Sequence, residues 1–174
     1  FYIMLFDVDI RKKQEAPIIE PSMIINMDSK YSGRWVLAGD LNGNGELEFV
    51  SCRNDDQAIT TICAYSQDNS LLWKWGEADA GSPIICYDLP LQLYDMNNDG
   101  KCDVYFSKNR EFVVLNGETG EEKVRYNLPQ GLEQADSIAF ANLSGSERPT
   151  DIIIKSRYRE LWAYTKDPPR LKAA

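Results

Sequence analysis

Nine residues, Asp95-Met-Asn-Asn-Asp-Gly-Lys-Cys-Asp103, alternate side-chain oxygens with spacers. Asp95, Asn97, Asp99 and Asp103 place oxygens at positions 1, 3, 5 and 9 of one loop, and Lys101 adds a backbone carbonyl at position 7. Carboxylates and amides in this alternation are hard ligands, and calcium takes roughly six to eight of them at about 2.3–2.6 Å. Gly100 is where the chain must curl, since a positive φ costs glycine least. An EF-hand shares this first half but needs a bidentate Glu at position 12 and an exiting helix. Position 12 is Phe106, within Val104-Tyr-Phe-Ser107, a short aromatic and β-branched run that predicts a strand.

The pattern recurs. Asp40-Leu-Asn-Gly-Asn-Gly-Glu-Leu-Glu48 sets Asp40, Asn42, Asn44 and Glu48 at the same four positions, with Glu46 at position 7. Asn142-Leu-Ser-Gly-Ser-Glu-Arg-Pro-Thr-Asp151 is one residue longer and lacks the acidic first and fifth ligands. Two calcium loops and one worn copy are therefore expected. Self-similarity every 40–50 residues or so is how propeller blades appear in sequence.

Strand signals surround each loop. The first unit reads as strand 35–38, loop, strand 49–52, strand 61–65, a turn at 67–70 and strand 71–75. The second repeats this order over 91–94, 104–107, 112–115 and 122–126, with Gly117 and Gly120 turning the chain. The third runs over 137–141, 151–155 and 160–164 and ends before a fourth strand is evident. No segment has the apolar period of an amphipathic helix. The expectation is an all-β fold, a partial β-propeller of about three four-stranded blades with calcium-binding loops between strands. As one domain it divides into an N-terminal strand segment over 1–30, possible end of a preceding blade, and repeats over 31–80, 81–130 and 131–174. A ring usually needs about four to eight blades, so the others must come from the rest of a longer chain or a partner.

The 174 residues carry a net charge of −8, which disfavours nucleic acid or an anionic membrane as partner. Arg11-Lys12-Lys13 is the only basic run, and no apolar stretch reaches the roughly 18–20 residues of a membrane span. The first residue is Phe, with no signal-peptide core behind it, so the chain reads as a piece of something longer. Cys52, Cys63, Cys86 and Cys102 make no C-x-x-C pair and there is no histidine, which argues against zinc. Cys52 and Cys63 fall on neighbouring predicted strands, where either a disulfide across a hairpin near Gln57 or two buried thiols would fit.

Without histidine there is no histidine base and no Ser-His-Asp triad in this chain. Asp55, Asp56, Asp79 and Asp88 have no spacing that marks one as a base, and solvated turns account for them. Trp35, Trp73, Trp75 and Trp162, with Tyr65, Tyr94, Tyr126 and Tyr164, suit either sugar stacking or packing between blades. The repetition of Leu72-Trp73 as Leu161-Trp162 favours packing. Lys108-Asn-Arg110 and Lys155-Ser-Arg-Tyr-Arg159 follow equivalent strands, and are either ordinary charged turns or one surface for an acidic polymer. Asn142-Leu-Ser144 matches a glycosylation acceptor inside the worn loop, where the match reads as incidental.

Gly39-Asp-Leu-Asn-Gly-Asn-Gly-Glu-Leu-Glu-Phe-Val50 and Tyr94-Asp-Met-Asn-Asn-Asp-Gly-Lys-Cys-Asp-Val-Tyr105 resemble the calcium-binding FG-GAP or VCBS propeller repeats. The resemblance covers residues 34–164. Ala64-Tyr-Ser-Gln-Asp-Asn-Ser-Leu-Leu-Trp73 is similar to a segment of the rhamnogalacturonan lyases, calcium-rich propellers that cleave pectin by β-elimination. No catalytic residue of that family maps onto a position here. The resemblance implies a calcium-stabilised propeller portion of a secreted or cell-surface protein that acts on polysaccharide, with an acidic, pectin-like polymer as the expected partner. The alternative is a non-catalytic carbohydrate-binding or adhesion module. Millimolar external calcium fills even weak loops, which points to an extracellular, periplasmic or cell-surface home.

Overall fold

Residues 2–5, 19–84, 88–133, 135–157, 159–165 and 171–173 are described by a computed structural model. Among them every regular element is a β-strand and every strand pairing is antiparallel. No helix is long and apolar enough to cross a membrane.

A small sheet pairs β1 (Tyr2–Leu5) with β2 (Met23–Asn26). Three four-stranded sheets follow, each a meander in chain order. The first holds β3 (Trp35–Gly39), β4 (Glu48–Asp55), β5 (Ala58–Tyr65) and β6 (Leu71–Gly76). The second holds β7 (Leu91–Tyr94), β8 (Asp103–Lys108), β9 (Glu111–Leu115) and β10 (Glu122–Asn127). The third holds β11 (Ser137–Ala141), β12 (Asp151–Lys155), β13 (Leu161–Tyr164) and β14 (Leu171–Ala173). The third unit thus has the fourth strand that its sequence does not advertise. Strands β4 and β5 are longer than expected, because the turn between them shrinks to Asp56-Gln57, with Asp56 at φ 50°.

Alternation decides what each sheet faces, since successive side chains point to opposite sides. In the first sheet Val50, Cys52, Ile62, Ala64 and Trp73 point one way and join Val104, Phe106, Val113 and Leu115 of the second in one core. The second sheet's other face contributes Tyr105, Phe112 and Val114 to a second core with Ile138 and Ile154 of the third. The second sheet is therefore apolar on both faces, and β8 and β9 read as nearly continuous apolar runs for that reason. The small sheet covers the first sheet's remaining face, where Ile25 and Met27 pack on Phe49, Cys63 and Tyr65.

The register separates the two cysteines proposed as neighbours. Ser51 stands opposite Cys63 and Cys52 opposite Ile62, so the thiols point to opposite faces of the sheet. Both are buried free thiols and no disulfide joins them. Burial pushes the Cys52 thiol far up and the Cys63 thiol to about 12. Cys86 and the Arg11–Lys13 run lie outside the described residues.

Candidate functional site

Each meander places the loop between its first two strands and the turn between its last two at the same end. Loops 40–48, 95–103 and 142–151 gather there, and they touch in series. The Cys102 amide, in the second loop, donates to the carbonyl of Asp40 in the first at 2.7 Å. The Arg148 guanidinium, in the third, donates to the carbonyl of Asp95 in the second at 3.0 Å. A backbone donor serves the first junction and an arginine side chain the second.

Within the first loop the expected ligand oxygens are held by backbone amides. Asp40 accepts from Gly43 at 2.6 Å and Gly45 at 2.8 Å. Asn42 accepts from the Asn44 amide at 3.0 Å, and Asn44 from the Glu46 amide at 2.7 Å. Gly43 and Gly45 sit at φ 82° and 84°, the left-handed region that lets their amides turn inward. Burial acts to raise the Asp40 pKa, but the Gly45 and Gly43 amides outweigh it and hold the carboxyl below its ordinary value. Glu48 behaves differently. It is buried, and its carboxylate accepts from the Leu41 amide at 2.7 Å and from Asn42 Nδ2 at 2.8 Å.

The second loop follows suit with different partners at its end. Asp95 accepts from the amides of Asp99 at 3.1 Å and Gly100 at 3.0 Å, with Gly100 at φ 85°. Asp99 accepts from the Lys101 amide at 2.9 Å and from Asn97 Nδ2 at 2.8 Å, and these bonds, in that order, lower its pKa. Asp103 is bound by Lys123 Nζ at 2.7 Å, and Lys101 Nζ reaches Glu118 at 2.5 Å.

In the third loop Asp151 is fully buried and accepts from the amides of Leu143 at 2.6 Å and Ser144 at 2.7 Å. Asn142 Nδ2, the atom a glycan would occupy, donates to the Ser146 carbonyl. Glu48, Asp103 and Asp151 each open the second strand of their sheet, so one position carries an acid in all three units.

No three Asp, Glu or Cys side chains among the described residues converge as a metal cage. The oxygens of Asp40, Asn42, Asn44, Asp95 and Asp99 accept amide hydrogens yet keep a second lone pair for a cation, while Asn97 donates through Nδ2 to Asp99. Position 9 is committed to protein donors, Leu41 and Asn42 on Glu48 and Lys123 on Asp103. The donor set at Asp40, Asn42, Asn44, Asp95, Asn97 and Asp99, with the carbonyls of Glu46 and Lys101, suits a hard ion. Glu48 and Asp103 would have to exchange partners to join it.

Position 2 of each loop was not singled out by the sequence, yet it packs the stack. Leu41 is fully buried in the core between the first and second sheets. Met96 packs on the core between the second and third. Leu143, at the same place in the third loop, is 54% exposed. The only sequence signal is its recurrence as Leu, Met and Leu.

The aromatic residues divide. Trp73 is buried between sheets and its Nε1 donates to the Gly117 carbonyl at 2.7 Å. Trp75 meets Phe106 edge-on at 4.7 Å between centroids and carries Lys108 Nζ at 4.9 Å over its ring. Tyr94 stacks on Phe140 at 4.2 Å, and Tyr126 is exposed. Trp162 is half-buried against the second core. Packing thus accounts for Trp73 and Trp75.

No known protein family matches the chain, and no curated protein does. Solved structures do. Over 82% of this chain, the exotype rhamnogalacturonan lyase YesX superposes with a TM-score of 0.57 at 22% identity, over 32% of its own length. A rhamnogalacturonan lyase from Bacillus licheniformis gives 0.57 and 20% identity over 82% of this chain and 33% of its own. Rhamnogalacturonan lyase YesW gives 0.56 and 21% over the same shares of 82% and 33%. The likeness is one of fold, and this chain spans about a third of each of those chains.

Proposed function

We propose that this chain is a portion of a calcium-stabilised β-propeller in a polysaccharide-acting protein of the rhamnogalacturonan-lyase kind. The observation that carries the reading is the superposition of 82% of this chain on three separate lyase chains. Three four-stranded meanders joined by recurring loop-to-loop bonds support blades of one propeller as the architecture.

The calcium assignment is to loops 40–48 and 95–103. Asp40, Asn42 and Asn44 in the first and Asp95, Asn97 and Asp99 in the second supply side-chain oxygens, with Glu46 and Lys101 adding carbonyls. Glu48 and Asp103 complete the sets by exchanging their protein donors. Ions of this kind hold strand connections and leave little room for substrate. An extracellular, periplasmic or surface location, where calcium is millimolar, follows from such loops.

A fold hosts many functions, and a lyase fold is compatible with binding without turnover. The full-length protein would be incubated with rhamnogalacturonan and homogalacturonan, and unsaturated uronate products measured. Their release supports the lyase. Binding of polymer without product supports the adhesion or carbohydrate-binding alternative, and neither binding nor product overturns the polysaccharide reading.

A further inference from the structure

Strand β10, an edge of the second sheet, carries one extra residue. Glu122 stands opposite Leu115 and Val124 opposite Val114, so Lys123 between them has no partner on β9. A bulge of this kind bends an edge strand and re-aims a side chain. Here the side chain is that of Lys123, whose Nζ lies 2.7 Å from Asp103 Oδ2, at position 9 of loop 95–103. Asp103 is 14% exposed and Lys123 40%, so solvent screens the pair in part and the contact is exchangeable. After the hydrogen bonds from the Lys101 amide and Asn97, the Lys123 charge also acts to lower the pKa of Asp99, so the ammonium is felt at position 5 as well as position 9. Lys101, inside the loop, turns instead to Glu118 at 2.5 Å.

The first sheet supplies the contrast. Its edge strand β6 has the same bulge, with Leu71 opposite Tyr65 and Trp73 opposite Ala64, but the extra residue is Leu72. Among the described residues no ion pair reaches Asp40, Glu46 or Glu48 of loop 40–48. One bulge delivers an ammonium to its loop and the other a leucine.

We propose that Lys123 sets the calcium affinity of loop 95–103 by serving as that loop's tethered counter-ion. The proposal rests on the calcium reading above and adds the residue that opposes the ion. An ammonium satisfies the acids of the ion-free loop, whereas a calcium ion that takes Asp103 must displace it and then stand beside a like charge. The stability that Lys123 lends the ion-free chain is therefore subtracted from calcium binding. Loop 40–48 has no such competitor.

The experiment is calorimetric titration of the 174-residue chain with calcium chloride, beside melts in chelator and in saturating calcium. Lys123→Met, which keeps the apolar stem, should tighten binding at one site roughly three- to tenfold. Leu72→Met, at the same bulge position of the first sheet, should leave the affinities unchanged, and Lys123→Arg, which keeps the charge, should stay near the parent. In chelator Lys123→Met should melt roughly 1–3 °C below the parent. That deficit should vanish in saturating calcium, where the lysine is already displaced. Calcium binding that Lys123→Met leaves unchanged or weakens, or a deficit that persists in saturating calcium, overturns the role of Lys123 and leaves the calcium reading standing. Absence of calcium binding to the parent overturns both.

Discussion

The amide of Cys102 donates to the carbonyl of Asp40 at 2.7 Å and so joins loop 95–103 to the first position of loop 40–48. Gly117 closes over the same junction, since a Cβ there would stand 1.9 Å from the Cys102 carbonyl oxygen and 3.1 Å from Leu41 Cδ2. One loop cannot shift without pressing on the other.

The loops should therefore respond to calcium together. Added calcium is expected to raise the melting temperature by several degrees over a chelator control, as mass action requires of a ligand that binds only the folded chain. Asp95→Ala and Asp99→Ala should each remove much of that rise, including part contributed by the first loop. A calcium titration of the melt checks this, and an unchanged melt in the parent would end the calcium assignment.

Glycine at 120 is a packing requirement as well as a conformational one. Its φ is 72°, and an added Cβ would lie 2.6–2.8 Å from three atoms of the Trp73 indole. Gly120→Ala is expected to cost roughly 1–3 kcal/mol, the range of overpacking. Denaturant unfolding of the variant, with tryptophan fluorescence as probe, measures it.

Leu41 and Leu143 occupy the same position of equivalent loops with opposite fates. Leu41→Ala should cost about 2–5 kcal/mol for a buried leucine, and Leu143→Ala no more than about 0.5 kcal/mol. Equal effects in chemical denaturation would contradict the exposure of Leu143.

Glu48 is a buried carboxylate holding two donors of its own loop. Glu48→Ala leaves the Leu41 amide unpaired and should destabilise by roughly 1–3 kcal/mol. The loss should persist in chelator, because those donors are protein atoms, and equilibrium unfolding without calcium tests that.

Asp28 follows β2 and meets Lys74 of β6 at 2.6 Å, clasping the small sheet to the first large one. The Lys74 bond, then the Lys30 amide, lowers the Asp28 pKa from 3.8, and the Asp28 bond raises that of Lys74 from 10.5. A depressed carboxylate stabilises above its unfolded pKa and loses that contribution as pH falls through the folded one. A raised lysine stabilises below its unfolded pKa and loses it as pH rises through the folded one. The parent should thus be slightly more stable than Asp28→Asn across neutral pH, the margin being small because solvent screens a partly exposed pair. The gap should close in acid below the lowered Asp28 pKa, as read by melts at stepped pH.

Strand alternation, turn glycines and the recurring oxygen pattern were legible from the residues alone. They depend on neighbours a few positions apart, so Val104-Tyr-Phe-Ser107 reads as strand and Gly100 as a curl wherever they occur. The all-β class and the three loops followed. The thiols were not legible, because a one-residue difference in register between β4 and β5 turns Cys52 and Cys63 to opposite faces. Nor was the approach of Asp56 and Arg157, which lie on turns about a hundred residues apart and come within 4.0 Å. Leu41 and Leu143 mark the division most sharply. Each follows the first residue of its loop and precedes a polar residue, so local chemistry treats them alike. Burial depends on whether another sheet stands against the loop. The second sheet covers Leu41, and no described sheet covers Leu143.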